Sequence, residues 1–251
     1  MCGRFALIHK SEGLEDEFGL AGVDPFPPRY NIAPTQPILV CMAGPVRERG
    51  SNVPSRRAFL ARWGFIPGWA KNPSEMPLMI NARSETASEK ASFRNAMRHR
   101  RALIPASGFY EWKRFGKRQS QAYWVRPRDG RPVAFGALME TWSEPGGSEL
   151  DTAAILTTEA NLEFASIHDR MPVVIKPENY ERWLDCTMQE PRDVADLVQP
   201  VEEGFFEAIP VSDLVNKVVN IGPEIQERVA PKEIPLEVAV APDGPEQMKL
   251  F

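Results

Sequence analysis

Cysteine is scarce in this chain. Cys2, Cys41 and Cys186 are the only three, far apart and without paired spacing. That excludes a disulfide framework and a cysteine-rich zinc site, and it fits a reducing cytoplasm. No apolar run is long enough to cross a bilayer. The first residues carry Arg4, His9 and Lys10 in place of an apolar signal core, so neither membrane nor secretion is expected. There is no internal repeat and no heptad pattern. There is also no His-Glu-x-x-His and no Ser/His/Asp arrangement, so the familiar protease signatures are missing. Nothing calls for a metal or a cofactor.

What remains is 43% hydrophobic and 25% charged over 251 residues, enough apolar content for one large globular domain. The net charge of −4 argues mildly against a nucleic-acid binder, but it hides a split. Residues 83–118 hold ten Lys/Arg against three Glu, a net of +7, and residues 178–251 hold sixteen Asp/Glu against six Lys/Arg, a net of −10. The positive stretch leaves room for an anionic partner; by charge alone a solvated helix face explains it better.

Short apolar runs between turn signals predict strands over Ile38–Met42, Ala58–Trp63, Leu78–Ile80, Ala102–Ile104, Ala122–Val125, Val133–Met139, Ala153–Leu156 and Met171–Ile175. Helices are expected over Glu12–Gly19 with Ser11 as cap, Thr86–Arg100, Glu159–Ser166, and Pro177–Cys186 with proline in its first turn. In the second of these, Thr86 and Glu89 have capping-box spacing. Phe93 and Met97 share one face, and Lys90, Arg94, Arg98 and Arg101 lie on the other. Many short strands with scattered helices predict an α+β fold. Gly44–Ser55 reads as a loop between two strands, and the chain from about Ile221 as a weakly ordered Pro- and Glu-rich tail. No boundary divides the rest in two.

Cys2 follows Met1 directly. If Met1 is trimmed, Cys2 carries an α-amine and a thiol on adjacent carbons. The amine condenses with an aldehyde, the thiol closes on the imine, and a five-membered thiazolidine results. An α-amine titrates near ~8 and a free thiol near ~8.5, so both nucleophiles are accessible at neutral pH. Taken alone, a cysteine at position two is more often an accident.

Several polar segments are too specific for core. They are Arg29-Tyr30-Asn31-Ile32-Ala33-Pro34-Thr35, Trp63-Gly64-Phe65-Ile66-Pro67-Gly68-Trp69, Asn81-Ala82-Arg83-Ser84-Glu85-Thr86, Gly108-Phe109-Tyr110-Glu111-Trp112 and Ile167-His168-Asp169-Arg170-Met171-Pro172. With the Cys2 start and in this order, they resemble the SRAP family (SOS-response-associated peptidase). That family includes proteins that crosslink to abasic sites in single-stranded DNA. The resemblance runs from Cys2 to about Asn220. It implies a single domain, residues 2–222, built on a strongly curved, barrel-like antiparallel sheet with flanking helices, and a DNA groove leading to the N-terminal cysteine.

By motif, the resemblance implies that Cys2, Asn81, Glu111 and His168 are catalytic. Glu111 matches the family's carboxylate and His168 the proton donor or acceptor. Asn81 matches an amide beside the cysteine, where it hydrogen-bonds without competing for protons. Thr157, eleven residues before His168, matches another polar contact. Arg4, Arg83 and Arg170 would contact phosphates without reading sequence. Trp69 would stack on a base or else sit in the core. Asn31 and Pro34 would shape the pocket or wedge bases apart. The partner implied is single-stranded DNA with an abasic site, bound by a monomer in the cytoplasm at the nucleoid. The thiazolidine would protect the lesion, because a cyclised adduct is no longer an iminium and resists elimination. Removal of its own Met1 is the peptidase activity expected.

The tail, 223–251, ends in Gln247-Met248-Lys249-Leu250-Phe251. This resembles the Gln-x-x-Leu-Phe peptide that docks bacterial repair proteins on the sliding clamp, with Gln247 as polar anchor and Leu250 and Phe251 filling an apolar pocket. Two other readings compete. One is an N-terminal-nucleophile amide hydrolase of the amidotransferase kind, which also begins Met-Cys-Gly; its Arg-Gly-Pro-Asp and Asn-Gly-Glu signatures are absent here. The other is a single-strand DNA reader with no covalent step.

Overall fold

Short continuous apolar runs, punctuated by glycine and proline, make this chain rich in strand. The structure, a computed structural model, describes residues 2–20, 22–44, 55–115, 119–144 and 146–232. In chain order the early strands are β1 (Phe5–Leu7), β2 (Arg29–Ile32), β3 (Pro37–Ala43), β4 (Arg56–Trp63) and β5 (Asn81–Arg83). Next come β6 (Arg101–Ala106), β7 (Gly108–Phe115), β8 (Gln119–Pro127), β9 (Val133–Ser143) and β10 (Glu149–Glu159). The last are β11 (Arg170–Pro172), β12 (Val174–Ile175) and β13 (Phe206–Val211). The α-helices are short: α1 (Ser11–Phe18), α2 (Ser84–Ala87), α3 (Arg94–His99), α4 (Leu162–Ala165) and α5 (Tyr180–Leu184).

The strands form two sheets. One has the order β13-β8-β7-β1-β2. In the other, β10, β4, β3, β6 and β9 form a closed ring, because β9 pairs back onto β10. The fold is therefore the expected α+β domain with a barrel-like sheet. The pairing is antiparallel except where β10 runs parallel to β4 and to β5.

Aromatic side chains tie the two sheets together. Phe5 on β1 packs edge-on against Trp63 and Phe135, with centroids 5.1 and 6.3 Å apart. Phe109 on β7 packs on Phe135, Phe164 and Phe206. Each fully buried ring contributes roughly 1.5–3 kcal/mol. Phe5 thus anchors the strand that leads back to Cys2.

Several expectations are corrected. The long helix over Thr86–Arg100 is two pieces, α2 and α3, separated by turns. Phe93, Ala96 and Met97 are buried, but 88–92 is too polar to extend that stripe. Thr86 lies inside α2 and its buried hydroxyl has no partner among the described residues, so it does not cap. Arg101 is not on a solvent face. It opens β6, is fully buried, and donates to the carbonyls of Met97, Trp183, Asp185 and Gln189. Ser11 begins α1 without a side-chain cap bond, whereas Gly19 closes that helix at φ +59°.

The strand expected at Leu78–Ile80 lies three residues later, at β5, leaving only a bridge between Met79 and Phe65. Met171–Ile175 splits at Val173 because β11 pairs with β10 while β12 pairs with β9. Gly44 and Ser55 do meet across a backbone hydrogen bond of 2.7 Å; residues 45–54 lie outside the described residues. The chain also stays packed past the expected boundary at 222. Ile225 is fully buried, Arg228 bridges to Val211, and Lys232 pairs with Asp213 at 2.8 Å.

Part of the charge split is matched internally, since Arg98 of the basic stretch pairs with Glu190 of the acidic one at 3.0 Å. Among the described residues no helix is long and apolar enough to cross a membrane.

Candidate active site at the start of the first strand

Strand β1 brings the N-terminal residues alongside β7. Phe5 is opposite Phe109, and Tyr110 N–H donates to Arg4 O at 2.8 Å. Continued one step, that antiparallel register sets the start of the chain beside Glu111. Cys2 is fully buried, and its thiol lies 3.9 Å from Arg4 O. Burial first, and then the negative charge of Glu111, push the thiol well above the ordinary cysteine range. With Met1 in place, that burial favours the S–H form of the sulfur.

β5 delivers the second group. Asn81 Nδ2 donates to Cys2 O at 2.9 Å. Asn81 Oδ1 is buried with no partner among the described residues, which leaves one acceptor open beside the cysteine. Glu111 is buried, and its Oε1 accepts from Trp112 N–H at 3.1 Å. Cys2, Asn81 and Glu111 therefore come together from three separate segments.

Beside β5 lies β10, with Ile155 opposite Asn81 and Thr157 opposite Arg83. β11 follows on the far side of β10, with Pro172 opposite Thr157. His168 sits just before β11. Its Nδ1 is 3.0 Å from Arg170 N and 2.8 Å from Asp169 Oδ1. These contacts are alternatives for one nitrogen. The backbone N–H is a fixed donor, so a bare Nδ1 with the proton on Nε2 satisfies it; protonation of Nδ1 turns it toward Asp169.

The predicted binding residues fall into two groups. Arg83 is exposed and makes no hydrogen bond or ion pair among the described residues. Trp69 is 58% exposed, so it is not a core residue; its Nε1 makes only a long contact, 3.4 Å, to Ala91 O. Pro34 is half-buried in a tight turn whose next residue, Thr35, has φ +74°. That left-handed conformation is strained for a β-branched side chain. The turn is pinned by Thr35 N–H to Trp63 O at 2.7 Å.

Arg4, Asn31, Thr157 and Arg170 are instead engaged within the protein. Asn31 is buried; its Oδ1 accepts from Arg4 Nη1 at 2.7 Å, and its Nδ2 donates to the carbonyls of Lys217 and Asn220 at 3.2 and 2.8 Å. Arg4 also donates to Val215 O at 2.9 Å, and burial lowers its pKa. Arg170 forks onto Glu85 at 2.6 and 2.8 Å and donates to Thr157 O at 2.6 Å, and Thr157 is fully buried.

Sequence reasoning missed Glu85, Asp169 and the segment from Asp213 to Asn220 that Arg4 and Asn31 hold. For Glu85 a signal existed, since it stands within the Asn81–Thr86 motif; for the segment there was none. A groove of about 940 Å³, with Glu85 in its lining, opens between α2, the end of β10 and residues 190–200. Among the described residues no group of His, Cys, Asp and Glu could hold a metal ion. Gln247, Leu250 and Phe251 lie outside the described residues.

The fold and site define a class: a barrel-centred α+β domain that holds a buried cysteine from the chain's start between a carboxylate and an amide. The chain belongs to the SRAP family, whose model, described as SOS response associated peptidase, matches residues 1–218. It is 39% identical to the abasic site processing protein YoqW of Bacillus subtilis over 230 residues, covering 90% of this chain and 99% of that one. It is 33% identical to abasic site processing protein YedK of Escherichia coli, covering 90% and 98%. With abasic site processing protein HMCES of Gallus gallus it shares 30% identity, covering 82% and 69%. A crystal structure of a Bacteroides thetaiotaomicron protein superposes with a TM-score of 0.78 over 91% of this chain and all of that one, at 22% identity; this bears on fold alone.

Proposed function

We propose that this protein processes abasic sites in single-stranded DNA by forming a thiazolidine crosslink through Cys2 once Met1 is removed. The observation that carries the reading is the meeting of Cys2 with Asn81 and Glu111 in a buried pocket.

The chemistry follows from those groups. The freed α-amine of Cys2 attacks C1′ of the open-chain sugar, whose carbonyl oxygen takes up a proton. The carbinolamine loses that oxygen as water and becomes an imine. The sulfur then bonds to the imine carbon while the S–H proton passes to nitrogen. The ring closes with a net loss of one water. Because the thiol is protonated in the closed site, Glu111 serves as the base that relays its proton. His168 exchanges a proton with the sugar oxygen, and the open Oδ1 of Asn81 accepts from the reacting amine or a sugar hydroxyl.

Arg83 and Trp69 are the exposed contacts for phosphate and base, with the Pro34–Thr35 turn as wedge. Arg4, Asn31, Thr157 and Arg170 brace the site through contacts within the protein. The protein acts as a monomer at the nucleoid, and trimming of Met1 by its own site is the peptidase activity proposed. Gln247, Leu250 and Phe251 dock on the sliding clamp, and deletion of the last five residues abolishes that affinity in a pull-down.

The deciding experiment incubates the protein with a single-stranded oligonucleotide holding one abasic site, followed by denaturing electrophoresis and intact mass. Wild type gives a heat-stable adduct lacking Met1 and one water; Cys2→Ala gives none, and Cys2→Ser only a labile oxygen ring. A complex that dissociates in salt in every variant would replace the crosslinker with a noncovalent reader.

A further inference from the structure

We infer that Glu85 is a positioning residue for the proposed reaction, acting through Arg170 to fix Asn81 and His168 relative to one another. The inference rests on the crosslinking function proposed above.

The two elements to be tied together come from distant parts of the chain. Asn81 lies on β5, which runs directly into α2, and Glu85 is in the first turn of α2. His168 precedes β11, and Arg170 is that strand's first residue. Between β5 and β11 stands β10, paired to each. The pairing with β5 covers three residues, Asn81 to Arg83, and the pairing with β11 covers three, Arg170 to Pro172. Ladders this short resist sliding or fraying poorly.

The Glu85–Arg170 pair spans this gap. Two parallel charge-assisted bonds, Nη1 to Oε1 at 2.6 Å and Nη2 to Oε2 at 2.8 Å, fix both distance and orientation. Nη2 also donates to Thr157 O at 2.6 Å, so the guanidinium is attached to all three strand segments. The Arg170 side chain is only 11% exposed, and its bond is the main reason that the Glu85 carboxyl lies below its ordinary range. The same residue's backbone N–H donates to His168 Nδ1 at 3.0 Å. Moving Arg170 therefore moves the imidazole. The Glu85 carboxylate bonds Arg170 through both oxygens, so its influence runs through the arginine.

Glu85 also offsets the charge of the Arg170 guanidinium. Nη1 and Nη2 each give one N–H to that carboxylate, while Nε is buried with no partner among the described residues. The pair is electrically neutral, and the exposed Arg83 is left as the phosphate contact of this edge.

The test separates binding from chemistry. Glu85→Gln, Glu85→Ala, Glu85→Asp, Arg170→Ala and the double variant Glu85→Ala/Arg170→Ala are compared, each in the Met1-trimmed full chain. The dissociation constant for single-stranded DNA with an uncleavable abasic analogue is measured by anisotropy, and the first-order adduct rate at saturating abasic DNA by quenched gels. Glu85→Gln and Glu85→Ala are expected to slow the rate at least tenfold while the dissociation constant changes less than threefold. Glu85→Asp is expected to recover part of the rate, and the double variant to be no slower than Arg170→Ala alone.

An unchanged rate in Glu85→Gln overturns the inference. So does a double variant whose losses multiply, or a loss confined to the dissociation constant. Melting curves identify any variant that fails to fold; in that case Glu85→Gln and Glu85→Asp, which preserve volume or charge, decide. If wild type itself forms no adduct, the crosslinking function has failed and this inference falls with it.

Discussion

Replacing Asn31 by alanine is expected to release the segment 213–220 and to free Arg4. The wild-type amide makes three short hydrogen bonds: one from Arg4 at 2.7 Å, and one each to Lys217 O and Asn220 O at 3.2 and 2.8 Å. A fourth contact, to Val215 O at 3.4 Å, is too long to count for much. A neutral hydrogen bond contributes roughly 0.5–1.5 kcal/mol net, and one to a charged group about 1.5–3 kcal/mol. The carbonyls of Lys217 and Asn220 lie near solvent and regain water, whereas Val215 O keeps its bond from Arg4. No large stranding penalty is added, and the sum is about 2.5–6 kcal/mol. For a domain of this size each kcal/mol lowers the melting temperature by roughly 2–4 °C.

If the segment opens locally before the barrel unfolds, the melting shift is smaller and the loss appears as local exchange. The assay therefore pairs a thermal melt with native-state hydrogen exchange over 213–220. Asn31→Asp is the sharper control. It keeps an oxygen for Arg4 but presents an acceptor to carbonyls that need a donor, so it should loosen the segment as much as alanine does. Unchanged exchange over 213–220 in both variants, with unchanged melting, would refute the claim that this side chain holds the segment.

Other expectations follow from burial. Arg101→Ala removes donors from four buried or half-buried carbonyls and empties a large volume beside Trp183, so a loss of about 3–5 kcal/mol is expected in urea unfolding. A loss below roughly 1 kcal/mol would contradict the hydrogen bonding seen here. Gly108→Ala should fold poorly or not at all, because a Cβ there would stand 2.3 Å from Val125 O at a backbone φ of +154°. Soluble, wild-type-like protein would count against that geometry. Of the three thiols, Cys186 should react first with iodoacetamide at neutral pH, since Cys2 and Cys41 are buried and the Cys41 thiol is pushed up to about 12. Both buried thiols titrate higher folded than unfolded. Their contribution to stability is therefore complete below the unfolded value of about 8.5 and declines as pH rises above it. Equal labelling of all three thiols in the native protein would refute this.

How much of this was legible depends on whether a signal is local. Strands β3, β4, β6, β8, β9 and β10 announce themselves as apolar runs, and they include every strand of the closed ring. β7 does not, because Gly108–Phe115 mixes aromatics with Glu111, Lys113 and Arg114; it forms through its partners β1 and β8. β1 is only three residues long and is held by Phe5 in the core.

The site was legible as a set of motifs, and Cys2, Asn81 and Glu111 do meet. The division of labour among the basic residues was not. A sequence offers Arg4, Arg83 and Arg170 as three equal cations next to three motifs. Only the folded chain distinguishes the exposed Arg83 from Arg4, engaged with Asn31, and Arg170, engaged with Glu85. The partner that engages each cation is 27 residues away in one case and 85 in the other, beyond any local pattern. The same limit applies to the thiol. Adjacency to the α-amine is written in the sequence, but the burial that keeps the sulfur protonated comes from β1, β5 and β7 converging. In the proposed reaction the reactivity of Cys2 is therefore a property of the assembled site, and ring closure there would call for a base close at hand.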